Sequence, residues 1–298
     1  QALLPTGYGF SLANSTSGTV LTISAGASGS LYWAGDVTGA ATSWGGGVLL
    51  SNSTNTNWSV DSGNATDALF APNATNSVVF STTNIGATAA VSTTLDQNYS
   101  ISALSTNAQS SGMVTVNQGS FGTLTIGSSS GITIGGTGSL TVNAPIALGV
   151  AQTWTAAAGT YLNVQGYSGT IGIATSSTSS ATVTLQATPA AGTLAVGSAL
   201  LGSIVTNISG TTVTLAGNAN QTIGANTTVT YGGAIPPAQG AVSGAFALTL
   251  SGSGTVTLGG FNTFSGLTTS STGTLAINNG GSASTNSAVG TGTITLSG

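Results

Sequence analysis

The chain contains no lysine, arginine, histidine, cysteine or glutamate. Its only charged side chains are Asp36, Asp61, Asp67 and Asp96, which give a net charge of -4 over 298 residues. Charged residues make up 1% of the chain, against about 25% in an ordinary soluble domain. Each absence removes a class of function. Nucleic-acid binding needs cationic side chains to displace counterions from phosphates, and anionic membrane surfaces need them for the same reason. Disulfides and thiolate-bound zinc need cysteine. Histidine bases, Schiff-base lysines and arginine clamps are excluded, and so are Lys–Asn isopeptide staples. Any acid–base chemistry would fall on the four aspartates.

Long apolar runs are also missing. Mean hydropathy is +0.37. However, Gly, Ser, Thr and Asn break every apolar run well short of the roughly 20 residues a spanning helix needs. No basic region followed by an apolar stretch opens the sequence. For an exported protein this reads Gln1 as the first residue after signal removal. Helical periodicity is almost absent.

What remains is strand signal. Short segments alternate apolar residues with Thr or Ser between Gly or Asn boundaries, as in GTVLTIS (18–24), MVTVNQG (113–119), GTLTIGS (122–128), GSLTVNA (138–144), GTVTLGG (254–260), GTLAINN (273–279) and GTITLSG (292–298). Each places two or three apolar side chains on one face, and β-branched residues suit a pleated surface. Gly254, Gly273 and Gly292 are each 19 residues apart. A period near 20 with glycine corners predicts a β-solenoid whose inward Val, Leu and Ile stack coil on coil. A β-sandwich is the alternative. The expected fold class is all-β, a right-handed parallel β-helix with a small inserted β-sandwich or barrel-like module.

The pattern divides the chain into five parts: an N-terminal strand or arm at 1–30, a β block rich in Trp and Asp at 31–100, solenoid coils at 101–170, the inserted module at 171–235, and further coils at 236–298. The insertion reads as about five short strands, with Ser209-Gly210 at one hairpin turn. Pro236-Pro237 in GGAIPPAQGA reads as a connector.

Residues 246–280, FALTLSGSGTVTLGGFNTFSGLTTSSTGTLAINNG, resemble one unit of the autotransporter-associated β-strand repeat. The middle element is Asn262-Thr263-Phe264-Ser265-Gly266, and Leu267 stands where that family usually has a second Gly. The order LYWAGD, NTNWSV, DALFAP, VVF and STTLDQNYSISALS over 31–105 resembles the N-terminal block of large secreted proteins carrying this repeat, and 138–164 resembles the coils that precede it. The resemblance implies an exported, surface-displayed right-handed β-helix and no known active site. The family's C-terminal membrane barrel has no counterpart in these 298 residues, and Gly298 falls inside a repeat.

Candidate sites are few. Asp61, Asp67 and Asn64 offer the hard oxygens that Ca2+ takes, but their spacing fits no standard Ca2+ loop, and turn-forming Asp is commoner. Paired carboxylates without Glu or any basic residue make a polysaccharide-cleaving enzyme a poor reading, and the chain is expected to be no enzyme and to need no cofactor. Trp33, Trp44, Trp58 and Trp154 could stack on sugars. Aromatics in such a chain more often plug and cap a coil.

The favoured reading is therefore an extracellular or bacterial cell-surface structural protein whose partners are other copies of itself, with a monomeric adhesin that binds a glycan or host surface as the alternative. Nucleic acid and membrane insertion are excluded. Gly292, Ile294 and Leu296 would form an unpaired strand edge lacking the Lys, Pro or inward charge that usually blunts one. Val20, Leu21 and Ile23 of the N-terminal segment would supply the strand that fills it.

Overall fold

The computed structural model describes residues 8–16, 18–49, 54–80, 90–106, 112–119, 122–136, 138–164, 169–189, 194, 199–201, 203–231, 240–259, 262–277 and 289–297. Among these the chain is all-β. Pro236-Pro237 and Tyr167 lie outside the described residues.

The chain opens with an antiparallel hairpin of β1 (Tyr8–Ser15) and β2 (Gly18–Ala25), which forms a sheet of its own. β3 (Gly29–Trp33) follows, then the short hairpin of β4 (Gly47–Leu49) and β5 (Thr54–Thr56), then β6 (Trp58–Ser59). From there the path becomes cyclic. β7 (Asn76–Phe80), β8 (Val91–Leu95) and β9 (Tyr99–Ile101) each enter a different sheet. β10 (Ala103–Thr106), β11 (Met113–Gln118) and β12 (Leu124–Ile126) lie parallel on those three in the same order. β13 (Ile132–Ile134), β14 (Ser139–Val142) and β15 (Ile146–Leu148) add the next layer, and β16 (Gln152–Ala156) and β17 (Tyr161–Val164) begin another.

At the corner after β17 the chain leaves the layers. β18 (Gly169–Thr175), β19 (Thr182–Leu185), β20 (Ala199–Leu200), β21 (Ser203–Ser209), β22 (Thr212–Leu215) and β23 (Thr227–Tyr231) close an antiparallel barrel. The barrel has its own core of Ile173, Val183, Leu185, Leu200, Val205 and Val213. Ser209 pairs with Thr212, so the β21–β22 turn is Gly210-Thr211 rather than Ser209-Gly210. Gly210 takes the left-handed conformation there, at φ 59°.

β24 (Val242–Ser243), β25 (Leu248–Ser251) and β26 (Thr255–Leu258) then resume the layers on β15, β16 and β17. β27 (Thr268–Ser270), β28 (Thr274–Ile277) and β29 (Ile294–Leu296) finish the described chain. The three parallel sheets contain nine, six and four strands, with β6 pairing antiparallel at one end of the nine.

Stacking follows from alternation. In the nine-stranded sheet Leu31, Val78, Leu104, Ile132, Trp154 and Leu250 stand in register, all buried. In the six-stranded sheet the column is Val114, Leu140, Leu162 and Val256, and in the four-stranded sheet Tyr99, Leu124, Ile146 and Val242. Each fully buried Val, Leu or Ile contributes about 1.5–3 kcal/mol. The intervening Thr, Ser and Asn of these strands alternate to the other face.

The 19-residue spacing does not survive as a period. Layer-to-layer steps in the nine-stranded sheet run from 26 residues (Val78 to Leu104) through 28 (Leu104 to Ile132) to 22 (Ile132 to Trp154). Gly254 and Gly273 precede stacked strands, β26 and β28. Gly292 does not join them: it precedes β29, which pairs with β27. A Cβ at Gly292 would overlap the carbonyl oxygen of Gly266, its true neighbour one layer down. β28 belongs to the six-stranded sheet and β29 to the nine-stranded one.

Candidate assembly site

The two ends of the layered stack differ. At the N-terminal end β6 covers the edge of β3, pairing Trp58 with Trp33. The edge of β8 is covered by Thr42–Trp44: Trp44 donates its N–H to Thr94 O at 3.0 Å, and Thr94 returns one to Thr42 O at 2.7 Å. Below this cover lies an aromatic plug. The Trp58 ring meets Trp33 edge-on at 4.9 Å and Trp44 at 5.0 Å, and Trp44 lies 5.3 Å from Tyr99. Trp58 Nε1 donates to Trp44 O at 2.8 Å, and Trp44 Nε1 donates to Thr93 Oγ1 at 3.0 Å.

Polar side chains tie down the irregular cover. Asn57 is fully buried; its amide donates to Ala40 O at 2.6 Å and Ser43 O at 2.8 Å, while its Oδ1 accepts from Val37 N at 2.9 Å. The Asp96 carboxylate accepts from Ser43 Oγ, from Gly45 N at 3.0 Å and from Tyr99 Oη at 2.7 Å.

At the C-terminal end the described residues show no such cover. β29 is the last strand of the nine-stranded sheet and β28 the last of the six-stranded one. Among the described residues the nine-stranded sheet thus has one strand beyond the layer of β27 and β28. Leu275 and Ile277 of β28 lie in register on the buried Val256 and Leu258. Ile277 nevertheless is 52% exposed and Leu296 69% exposed. Beside the step is a cleft of ≈ 270 Å³ lined by Ser270, Thr272, Gly273, Leu275, Leu296 and Ser297.

The residues read from the sequence as an assembly site fall in two places. Ile294 and Leu296 lie on β29, in register with Thr268 and Ser270, and Gly292 sits at the corner before it. Val20, Leu21 and Ile23 lie on β2, at 52%, 51% and 58% exposure. No pairing among the described residues brings the two groups together within one chain. Leu275 and Ile277 are absent from the sequence-derived set, although the alternation of GTLAINN carries their signal.

Of Asp61, Asp67 and Asn64, the first and last are engaged locally. Asp61 Oδ1 accepts the N–H groups of Gly63 at 2.9 Å and Ala65 at 3.1 Å, which is a turn. Asn64 donates to Asp36 Oδ2 at 3.2 Å. No group of three or more metal-binding side chains occurs among the described residues. Trp33, Trp44, Trp58 and Trp154 are all buried, so none is presented for sugar stacking; among the tyrosines, Tyr8 and Tyr161 are exposed.

A comparison with family models, with curated proteins and with solved structures returned no match.

The ionisable groups set a pH profile. Backbone N–H donors, that of Ala65 foremost, hold Asp61 below the usual carboxylate range, so its contribution is present at neutral pH and lost as pH falls through that lowered value. Burial, and then the charge of Asp36, raises Asp67, so its cost at neutral pH is relieved as pH falls through the raised value. The two oppose each other in acid. Histidine and cysteine, the side chains that ordinarily titrate near neutrality, are absent. Burial, then the charge of Asp96, pushes the Tyr99 phenol far above its ordinary value. Unfolded phenols ionise near pH ~10, so this contribution is intact below that and declines above it. The urea midpoint should be level from about pH 6 to 9 and fall by about pH 11, with Tyr99→Phe reducing the fall. A midpoint sloping steadily across the neutral range would contradict the assignment.

Proposed function

We propose that this chain is an extracellular structural protein, a right-handed parallel β-helix that self-assembles into surface fibres by strand pairing between copies. Right-handed crossovers are the strong default for parallel strands. The likeness of residues 246–280 to the autotransporter-associated repeat supports export and surface display. The observation that carries the reading is the contrast along the described stack: an aromatic plug and paired edges around its first layer, and exposed Ile277 and Leu296 on its last described strands. Free edges are templates for another chain. A contact between one end and a different surface does not close on itself, so it propagates as a filament.

Charge does not oppose this. All four aspartates lie at or before residue 96, within or beside the sealed end, and no carboxylate side chain follows them. We assign the chain no catalytic role and no cofactor. The Asp61 and Asp96 carboxylates are occupied by backbone and side-chain donors, and no base or nucleophile other than hydroxyls accompanies them.

Electron microscopy of the purified chain tests the reading. Fibres are expected in dilute buffer and equally in about 1 M salt, where the Debye length is about 3 Å, because backbone pairing and apolar burial are not screened. Single particles at all concentrations would contradict assembly and favour the monomeric adhesin; dissolution by salt alone would contradict strand pairing.

A further inference from the structure

We propose that the barrel is a self-contained head: it folds without the layers, and the layers stack without it. The proposal stands whether or not the chain assembles. Among the described strands, the chain passes from the six-stranded to the four-stranded sheet repeatedly. Residues 96–98, 119–123 and 143–145 make the first crossings, and residues 165–241 make the next. The layer nevertheless resumes where a short crossing would have put it. Val242 lies in register with Ile146, Leu250 with Trp154 and Val256 with Leu162. Strand pairing in the layers is thus indifferent to the barrel.

The barrel is also complete in itself. Its first and last strands pair with each other, Gly169 opposite Tyr231, so the chain enters and leaves at adjacent points. None of its strands joins a sheet of the layers among the described residues. Its buried residues form a cluster that shares no member with the core of the layers. Segments outside its strands are tied within it as well. Ser176 and Ile223 exchange backbone hydrogen bonds at 3.0 Å, and Asn220 N donates to Leu201 O at 2.8 Å. The span 169–231 falls within the size of about 55–65 residues at which many domains fold alone. A unit whose ends are adjacent can be carried at a loop without straining its host.

Tryptophan separates the two units. Trp33, Trp44, Trp58 and Trp154, all the indoles of the chain, belong to the core of the layers. Fluorescence therefore follows the layers alone, while circular dichroism follows both units. In the full chain Val213→Ala, which opens the barrel core, should bring part of the circular dichroism loss to lower urea and leave the fluorescence midpoint unchanged. Leu140→Ala, in the core of the layers, should lower the fluorescence midpoint. One transition followed alike by both signals, with the fluorescence midpoint falling for Val213→Ala as it does for Leu140→Ala, would overturn the proposal. The second experiment removes the barrel. Deleting residues 165–238 joins Val164 to Gln239 and leaves 239–241 before Val242, just as 143–145 stand before Ile146. That chain should keep the tryptophan emission and the fluorescence midpoint of the full chain. Emission like that of the urea-unfolded chain would show that the layers need the barrel.

Discussion

Trp58→Ala should lower the stability of the layered body by about 3–5 kcal/mol, the range for deleting a buried tryptophan. Trp58 is fully buried between Trp33 and Trp44, each meeting it edge-on. Its indole N–H also serves Trp44 O, so truncation leaves a cavity and an acceptor without its donor. The same residue pairs β6 to β3 and accepts the N–H of Ala68 at 2.8 Å, so the cover over the first layer loosens with it. Urea denaturation monitored by circular dichroism measures the effect. Trp58→Phe keeps an aromatic ring but removes the donor, and should cost about 1–3 kcal/mol. A loss below about 1 kcal/mol for the alanine variant would mean that the plug does not hold this end together.

The second large effect is at a corner. Gly273 has φ 76°, and a Cβ there would overlap the carbonyl oxygens of Gly252 and Gly254, backbone atoms of the layer beneath. Left-handed conformation costs an L-residue about 1–2 kcal/mol, and the overlap adds about 1–3 kcal/mol. Gly273→Ala should therefore cost about 2–5 kcal/mol by that addition. Gly159 has φ 74° with open space around its Cβ position, so Gly159→Ala isolates the conformational part. Equal losses in the two variants would show that packing between layers plays no part at the corner.

These corners also mark the limit of what the sequence discloses. The strand class is legible because inward and outward residues alternate, and segments such as GTLTIGS and GSLTVNA form β12 and β14. Spacing between glycines does not say which sheet the next strand enters. Gly254, Gly273 and Gly292 are evenly spaced, yet the third stacks on Gly266 because layer length varies. The fate of GTVLTIS is similarly hidden. Its alternation suits a parallel layer, but Asn14–Gly18 offers a turn and β1 a nearer partner. Asn57 leaves no periodic signal, since its partners lie 14–20 residues away in irregular chain.

Strand donation by the N-terminal hairpin is the claim on which fibre assembly rests. Its most direct test is the chain lacking residues 1–25, purified and imaged beside the full chain at the same concentration. Donation predicts a folded protein with its β-sheet circular dichroism retained and no long fibres, while the full chain forms them. Fibres of normal length from the truncated protein would contradict it.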